Sequence, residues 1–295
     1  MDLLRVPQEK KRRVIINTDA KNEVDDQYAI VQALLTDGFD LRGLIAAHFG
    51  EAKSSHSMQD SYDEIQLLLD LMGMKDQVRV EKGAAHAMPD EVTPVDSAGA
   101  RLIIEEAMKE DDRPLYIAFL GLLTDMASAL LLEPQIAQKD IKVIWIGGGD
   151  WPVGCKEYNL GNDIPSANVI MKSSLELWQI PRNVYRMMPI THAELVHRVY
   201  PQVKIGKYLV ENLIQFNNEG RGRPTDYRVL GDSPAVGVMI FEDCGEWDWK
   251  PAPEIDGNMK YTHVGKHRPI RVYRNMNSRF IFEDLFAKLE MFSSR

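Results

Sequence analysis

Cysteine is almost missing from this chain. Cys155 and Cys244 are the only two in 295 residues, too few for a disulfide framework and in keeping with a reducing, cytoplasmic setting. Long apolar runs are missing too. No stretch reaches the ~18 residues of a membrane span, and residues 1–13 lack the apolar core of a secretory signal. Positive charge is scarce: 35 Lys and Arg against 44 Asp and Glu leave a net charge of −9, which speaks against a general nucleic-acid surface. The basic cluster from Lys10 to Arg13 reads as a solvated lead-in to the first strand. Several catalytic signatures are also lacking. Gly147-Gly148-Gly149 has neither the Gly-Lys-Ser/Thr of a phosphate-binding loop nor the spacing of a dinucleotide fingerprint. There is no Gly-x-Ser-x-Gly elbow and no Cys-x-x-Cys pair for zinc. Cys155 has no adjacent His to mark it as a nucleophile.

What the chain does have is a dense acidic loop behind a hydrophobic strand. Val14, Ile15 and Ile16 form a β-branched run that reads as a buried strand. Four acids then fall within eight residues: Asp19, Glu23, Asp25 and Asp26. Ala29, Ile30, Ala33 and Leu34 follow at helical spacing. The acids therefore sit at the carboxyl end of a strand, where open α/β sheets place their ligands. Helix capping and the macrodipole explain one or two of them, but not three Asp at this spacing. Like charges packed this closely need a cation or a proton to offset them. Hard oxygen donors in a short loop suit Ca²⁺ or Mg²⁺ better than zinc or copper.

Strand and helix patterns alternate along the chain. The strand candidates are 13–18, 41–47, 78–81, 115–120, 142–146 and 183–187; the helix candidates are 25–36, 56–73, 97–110, 122–132 and 165–178. This predicts an α/β fold with a mainly parallel sheet and helices on both faces, forming one domain over residues 1–295. From 191 onward the pattern turns helical, at 192–200, 203–218 and 232–243. Thr191-His192-Ala193-Glu194 is a capping box. Residues 259–275 read as a hairpin turning near Gly265, and 278–291 as an amphipathic helix. The segment 217–226 holds no hydrophobic residue and reads as an exposed, mobile loop.

Several segments resemble the inosine-uridine preferring nucleoside hydrolases. Asn17-Thr18-Asp19 with Asp25-Asp26 is similar to that family's Asp-Thr-Asp-Pro-Gly-x-Asp-Asp signature. Asp40 to Ala47 looks like its second strand, Lys82-Gly83-Ala84 like its Lys-Gly-Ala element, and Leu120 to Pro134 like its Gly-Pro-Leu-Thr-Asn-Leu-Ala segment. Gly147-Gly148, Glu157-Tyr158-Asn159 and Asp163 track its Gly-Gly and Glu-Phe-Asn-x-x-x-Asp-Pro elements, and Gly231 to Val236 resembles its His-Asp-Pro-Leu-Ala-Val. The resemblance implies a Rossmann-like core and Ca²⁺-dependent hydrolysis of a ribonucleoside to ribose and free base, as in nucleoside salvage. It implies a small-molecule nucleoside or ribosyl substrate, and a homo-oligomer, dimer or tetramer. It assigns Asp19 as general base and metal ligand, Asp26 as a bidentate ligand, the Thr124 carbonyl and Asp232 as further ligands, and Asp25, Glu157 and Asn159 as ribose-binding groups. Glu51, after Gly50, stands where the family usually has Asn and joins the substrate-binding candidates. Taken alone, Thr124 is explained equally well by capping, and Asp232 before Ser233-Pro234 reads as a helix start.

The departures from the pattern are informative. The acidic loop is two residues longer, so it must bulge, and Lys21 or Glu23 could reach over the pocket. Asn17 replaces an acid, removing one negative charge near the metal. Trp151 falls where a ribose-binding Asn is expected. Gly231 stands where many members carry a His that protonates the leaving base. His48, His86, Tyr227 and Arg228 are the candidates to replace that acid. This rebuilt end leaves two alternatives: hydrolysis of another ribosyl or sugar compound, or a Ca²⁺-dependent binding protein without turnover.

Overall fold

The structure, a computed structural model, describes residues 5–219 and 225–294. In chain order the first half contains β1 (Arg12–Thr18), α1 (Asp26–Leu34), β2 (Phe39–Ala46), α2 (Ser57–Leu71), β3 (Val80–Lys82), α3 (Ala98–Met108), β4 (Leu115–Phe119), α4 (Thr124–Leu132) and β5 (Ile141–Ile146). Then come α5 (Tyr158–Asn162), α6 (Ile164–Lys172), β6 (Glu176–Ile180), α7 (Arg182–Tyr185), β7 (Pro189–Thr191), α8 (His192–Arg198), α9 (Val203–Asn218), β8 (Tyr227–Val229) and α10 (Ser233–Ile240). The chain ends with β9 (Trp247–Pro251), β10 (Glu254–Ile255), β11 (Tyr261–Thr262), β12 (Pro269–Tyr273) and α11 (Ser278–Ser293).

The central sheet has eight strands in the order β3-β2-β1-β4-β5-β6-β12-β9. Its pairings are parallel except that of β9 with β12. Side chains alternate across it, so β1 feeds both faces. Val14 and Ile16 join a core with α1, α9, α10 and α11, while Ile15 joins a core with α3, α4 and α6. The predicted α/β architecture with helices on both faces is what the chain adopts. Strand order reverses direction between β1 and β4, and the loops leaving their carboxyl ends diverge there. A crevice opens at such a point, and Asp19 lies just beyond β1.

Local rules hold at several ends. The Thr191 hydroxyl accepts from the Glu194 amide at 3.1 Å, so the predicted capping box starts α8. The final helix buries Ile281, Phe282, Leu285, Phe286 and Leu289. Three expectations are corrected. Residues 183–187 are no strand: α7 follows Pro181, and the strand lies earlier, as β6, because the helix predicted over 165–178 stops at Lys172 before Ser173 and Ser174. Residues 259–275 form no hairpin: β11 pairs with β10, while β12 enters the main sheet, where Ile270, Val272 and Tyr273 are buried. Arg13 is not solvated but buried within β1, ion-paired with the buried Glu106. Of the loop predicted over 217–226, residues 220–224 lie outside the described residues, and Asn217 is buried at the end of α9. Among the described residues, no helix is long and apolar enough to cross a membrane.

Candidate active site

A cavity of about 90 Å³ opens at the carboxyl ends of β1, β4 and β5, lined by Asp19, Asp25, Asp26, Glu157, Asn159 and Asp232 among others. Each acid reaches it by a different route. Asp19 leaves β1 and accepts from Asn22 Nδ2 at 3.0 Å. The β4 end packs directly against it: a Cβ on Gly121 would lie 2.5 Å from Asp19 Oδ1, so only glycine fits there. Asp25 and Asp26 begin α1. Asp26 Oδ1 accepts from Thr18 Oγ1 at 2.5 Å, and Asp25 Oδ2 accepts from the Gly231 amide at 2.9 Å. Asp232 arrives more than two hundred residues later, at the start of α10.

Carboxylate oxygens of Asp25, Asp26 and Asp232 lie within 4.8 Å of one another. This is the donor chemistry of a hard divalent cation. Electrostatics point the same way. Burial pushes Asp19 up to about 7, with the Asp25 charge adding to it. Burial and the charges of Glu23 and Asp26 push Asp25 to about 7, and burial and the charge of Asp19 push Asp26 to about 8. Burial, then Asp25, Asp26 and Asp19, holds Asp232 well above the usual carboxylate range. These groups cannot all be ionised without a compensating positive charge, so the residues present fit a metal. Asp19 lines the same cavity but lies outside the trio, whose third member is Asp25.

Glu157 lines the same cavity. It accepts from the amides of Gly148, Asn159 and Leu160 at 2.9, 3.0 and 2.9 Å, and from the Tyr185 hydroxyl at 3.1 Å. Burial raises its carboxyl and these amides oppose the rise. Asn159 Nδ2 donates to the carbonyls of Leu120 and Ile146, both at 2.9 Å, tying the ends of β4 and β5 together.

Two sequence candidates are not brought to the cavity. Thr124 is buried at the start of α4, and its hydroxyl donates to Asp163 at 2.6 Å. The cavity wall at the end of β4 is Leu120, four residues earlier. Glu51 is exposed in a turn and is not a lining residue. Among the other candidates, His48 is buried beside Thr124. Its Nε2 lies 3.1 Å from Thr124 Oγ1 and its Nδ1 accepts from the Gly50 amide at 3.3 Å. Burial pushes it down to about 4, so it is neutral near pH 7. His86 is exposed against the Ala87 carbonyl. Trp151 turns away, donating to Gln179 Oε1 at 2.9 Å. His263 and His267 stand four apart but bind separate partners, the Pro152 carbonyl and Glu254, so that spacing builds no zinc site.

The longer acidic loop is held at three points. Lys21 turns away from the cavity to the buried Glu64 at 2.7 Å. Asn22 accepts from Lys53. Glu23 does reach the cavity and pairs with Arg228. Asn17, which stands where an acid was expected, donates through Nδ2 to a buried acid, Asp125 Oδ2, at 2.8 Å. Sequence reasoning missed Tyr185 and Asp125. The first sits in the segment read as a strand, and Asp125 hid inside a helix pattern.

The sequence model of the inosine-uridine preferring nucleoside hydrolases matches residues 14–276. The chain belongs to that family. A probable uridine nucleosidase 2 of Oryza sativa subsp. japonica is 22% identical over 229 residues, covering 68% of this chain and 65% of that protein. Uridine nucleosidase 1 of Arabidopsis thaliana is 24% identical over 213 residues, covering 63% and 61%. The match thus spans less than two thirds of either plant relative. Among solved structures, a purine-preferring ribonucleoside hydrolase from Gardnerella vaginalis superposes with a TM-score of 0.79 at 18% identity, covering 96% of this chain and 99% of that one. A plant nucleoside hydrolase gives 0.77 at 19%, covering 94% and 98%. At these identities the likeness to the nucleoside hydrolases is one of fold.

Proposed function

We propose that this chain is a Ca²⁺-dependent N-ribohydrolase that splits a ribonucleoside into ribose and free base. The observation carrying this reading is the meeting of Asp25 and Asp26 with Asp232 from the far end of the chain, in a cavity that Asp19 and Glu157 also line. Asp26 and Asp232 would hold the cation with Asp19, and the Leu120 carbonyl at the cavity wall takes the place first given to Thr124. When bound, the cation offsets the cluster's charge and offers positions for a water and the ribose diol.

The chain's own residues then divide the work. Cleavage passes through an oxocarbenium-like sugar, which the surrounding carboxylates favour electrostatically. Asp19 takes the proton of the attacking water. Asp25 accepts from a ribose hydroxyl. Glu157, fixed by three backbone amides and Tyr185, grips the 5′ side. Asn159, with both amide hydrogens used on the strand ends, offers its Oδ1 to the 3′ side.

A ribose-release assay over a panel of purine and pyrimidine nucleosides, run with Ca²⁺ and with chelator, tests the reading. Release that chelator abolishes and Ca²⁺ restores is expected. Chelator-insensitive release would remove the metal from the reading. No release from any riboside, together with Ca²⁺-dependent nucleoside binding, would replace the hydrolase by a binding protein.

A further inference from the structure

A second chamber of about 330 Å³ adjoins the first, sharing Glu23, Asp25, Tyr185 and Gly231 and adding Arg186 and Arg228. Gly231 keeps the passage open, since a Cβ there would lie 3.1 Å from Tyr185 Cδ2 and 3.3 Å from Asp25 Oδ2. The cleft is thus uneven in charge: Asp19, Asp26 and Asp232 line only the first chamber, Arg186 and Arg228 only the second, and Glu23 and Asp25 lie between. Arg228 is held in place. It stacks over Phe216 at 5.0 Å, its Nη1 lies 3.4 Å from Asn217 Oδ1, and Nη2 pairs with Glu23. Its buried Nε has no hydrogen-bond partner among the described residues. Of the candidate proton donors, Tyr227 lines this chamber. Gly231 has no side chain, both nitrogens of His48 are engaged, and the Tyr185 hydroxyl donates to Glu157.

We propose that the leaving group occupies this second chamber and departs as an anion stabilised by Arg228 and Arg186, so that the preferred substrates are ribosides of acidic aglycones. The inference rests on the hydrolase reading and says which substrates it takes. The bond from C1′ to the aglycone breaks heterolytically and its electron pair leaves with the aglycone. Water adds to the cationic C1′, and its proton passes to Asp19. Positive charge grows over the acidic end and negative charge over the arginine end. The arrangement matches the dipole of the separating pair before any proton moves, which is how preorganised charge accelerates a reaction.

The test uses the Ca²⁺-loaded protein and a series of phenyl ribosides whose phenols differ in acidity. In Arg228→Gln, kcat/KM should fall by about a hundredfold for the most basic phenol, the usual loss of one anion-stabilising donor, and only a few-fold for nitrophenol. Arg228→Lys should recover part of the loss, and Arg186→Gln should show the same trend more weakly. Equal loss across the series would mean that Arg228 only holds Glu23 in place, and would overturn the proposal. So would a loss confined to basic phenols in Tyr227→Phe, which would make that tyrosine the acid. Binding of free nitrophenolate, read by calorimetry, is independent of turnover and should weaken about tenfold in Arg228→Gln, or about 1.4 kcal/mol. If wild type releases no ribose from any riboside, the hydrolase reading fails by itself. Arg228-dependent nitrophenolate binding then still supports the anion chamber, and its absence overturns it.

Discussion

Replacing Asp232 by Asn should make the metal-free protein more stable while removing its response to Ca²⁺. Asp232 is buried with oxygens within 4.8 Å of Asp25 and Asp26. If it ionises, one such repulsion costs about 3 kcal/mol at an effective dielectric near 20. If it stays protonated, holding it neutral at pH 7 against an ordinary value of 3.8 costs about 4 kcal/mol. Both routes give the same size of effect, and the amide escapes either cost. For a chain of this length each kcal/mol is about 2 °C in Tm, so the metal-free variant should melt roughly 5–10 °C higher near neutral pH. Differential scanning calorimetry in chelator measures this directly. The pH dependence has a definite sign. Folded-state values of about 7 to 8 at Asp19, Asp25 and Asp26 exceed the unfolded value. The folded state therefore binds more protons, and metal-free wild type loses stability as pH rises from about 4 to about 8. Ca²⁺ at a hundred times its Kd adds about 2.7 kcal/mol to wild type and little to Asp232→Asn. A variant that melts below wild type in chelator, or metal-free wild type that gains stability from pH 5 to 8, would refute the reasoning.

Asp19→Asn keeps the shape but removes the base, and should lower turnover by roughly two to four orders of magnitude; metal content measured beside the rate separates lost base from lost ligand. Wild type should cleave inosine weakly and a nitrophenyl riboside far better, because Gly231 gives no proton to a purine. Efficient inosine turnover would show that another acid serves. Glu64→Gln should lower Tm by a few degrees, corresponding to about 1–3 kcal/mol, since the buried carboxylate accepts from Lys21, Gln27 and the Tyr208 hydroxyl at 2.7, 3.1 and 2.6 Å. An unchanged melting curve would mean the long acidic loop does not depend on that anchor.

The acidic end of the site was legible because its pieces are local: Asp19, Asp25 and Asp26 sit in one loop behind one strand, and strand-end position is readable from pattern. Asp232 was not, since its own neighbourhood reads as a helix start; only the order of family-like segments placed it. Thr124 was misplaced because sequence does not say how far a strand runs before its loop turns, and the cavity wall falls at Leu120. The stretch 176–187 failed because Glu176 to Ile180 continues the apolar pattern of α6 until tertiary pairing with β5 and β12 makes it a strand. That error hid Tyr185. Arg228 was noticed only for standing near Gly231; its pairing with Glu23 joins positions 205 residues apart, which no local pattern records.

The hydrogen bond between Asn17 and Asp125 has a consequence for how such chains are compared. The related family segments carry an acid at the first position and an amide at the second. Here the two are exchanged, and the buried pair keeps one carboxylate and one amide. Counted column by column, the chain has lost two family residues; counted as a pair, it has changed nothing but the direction of the bond. Asn17→Asp sets two buried acids face to face, and Asp125→Asn, whose oxygen can still accept from Ser97 and the Ala84 amide at 2.6 and 2.9 Å, turns an NH2 group toward the one Asn17 now donates. The two positions are coupled through one hydrogen bond, so a low percentage identity overstates the distance between this site and its relatives.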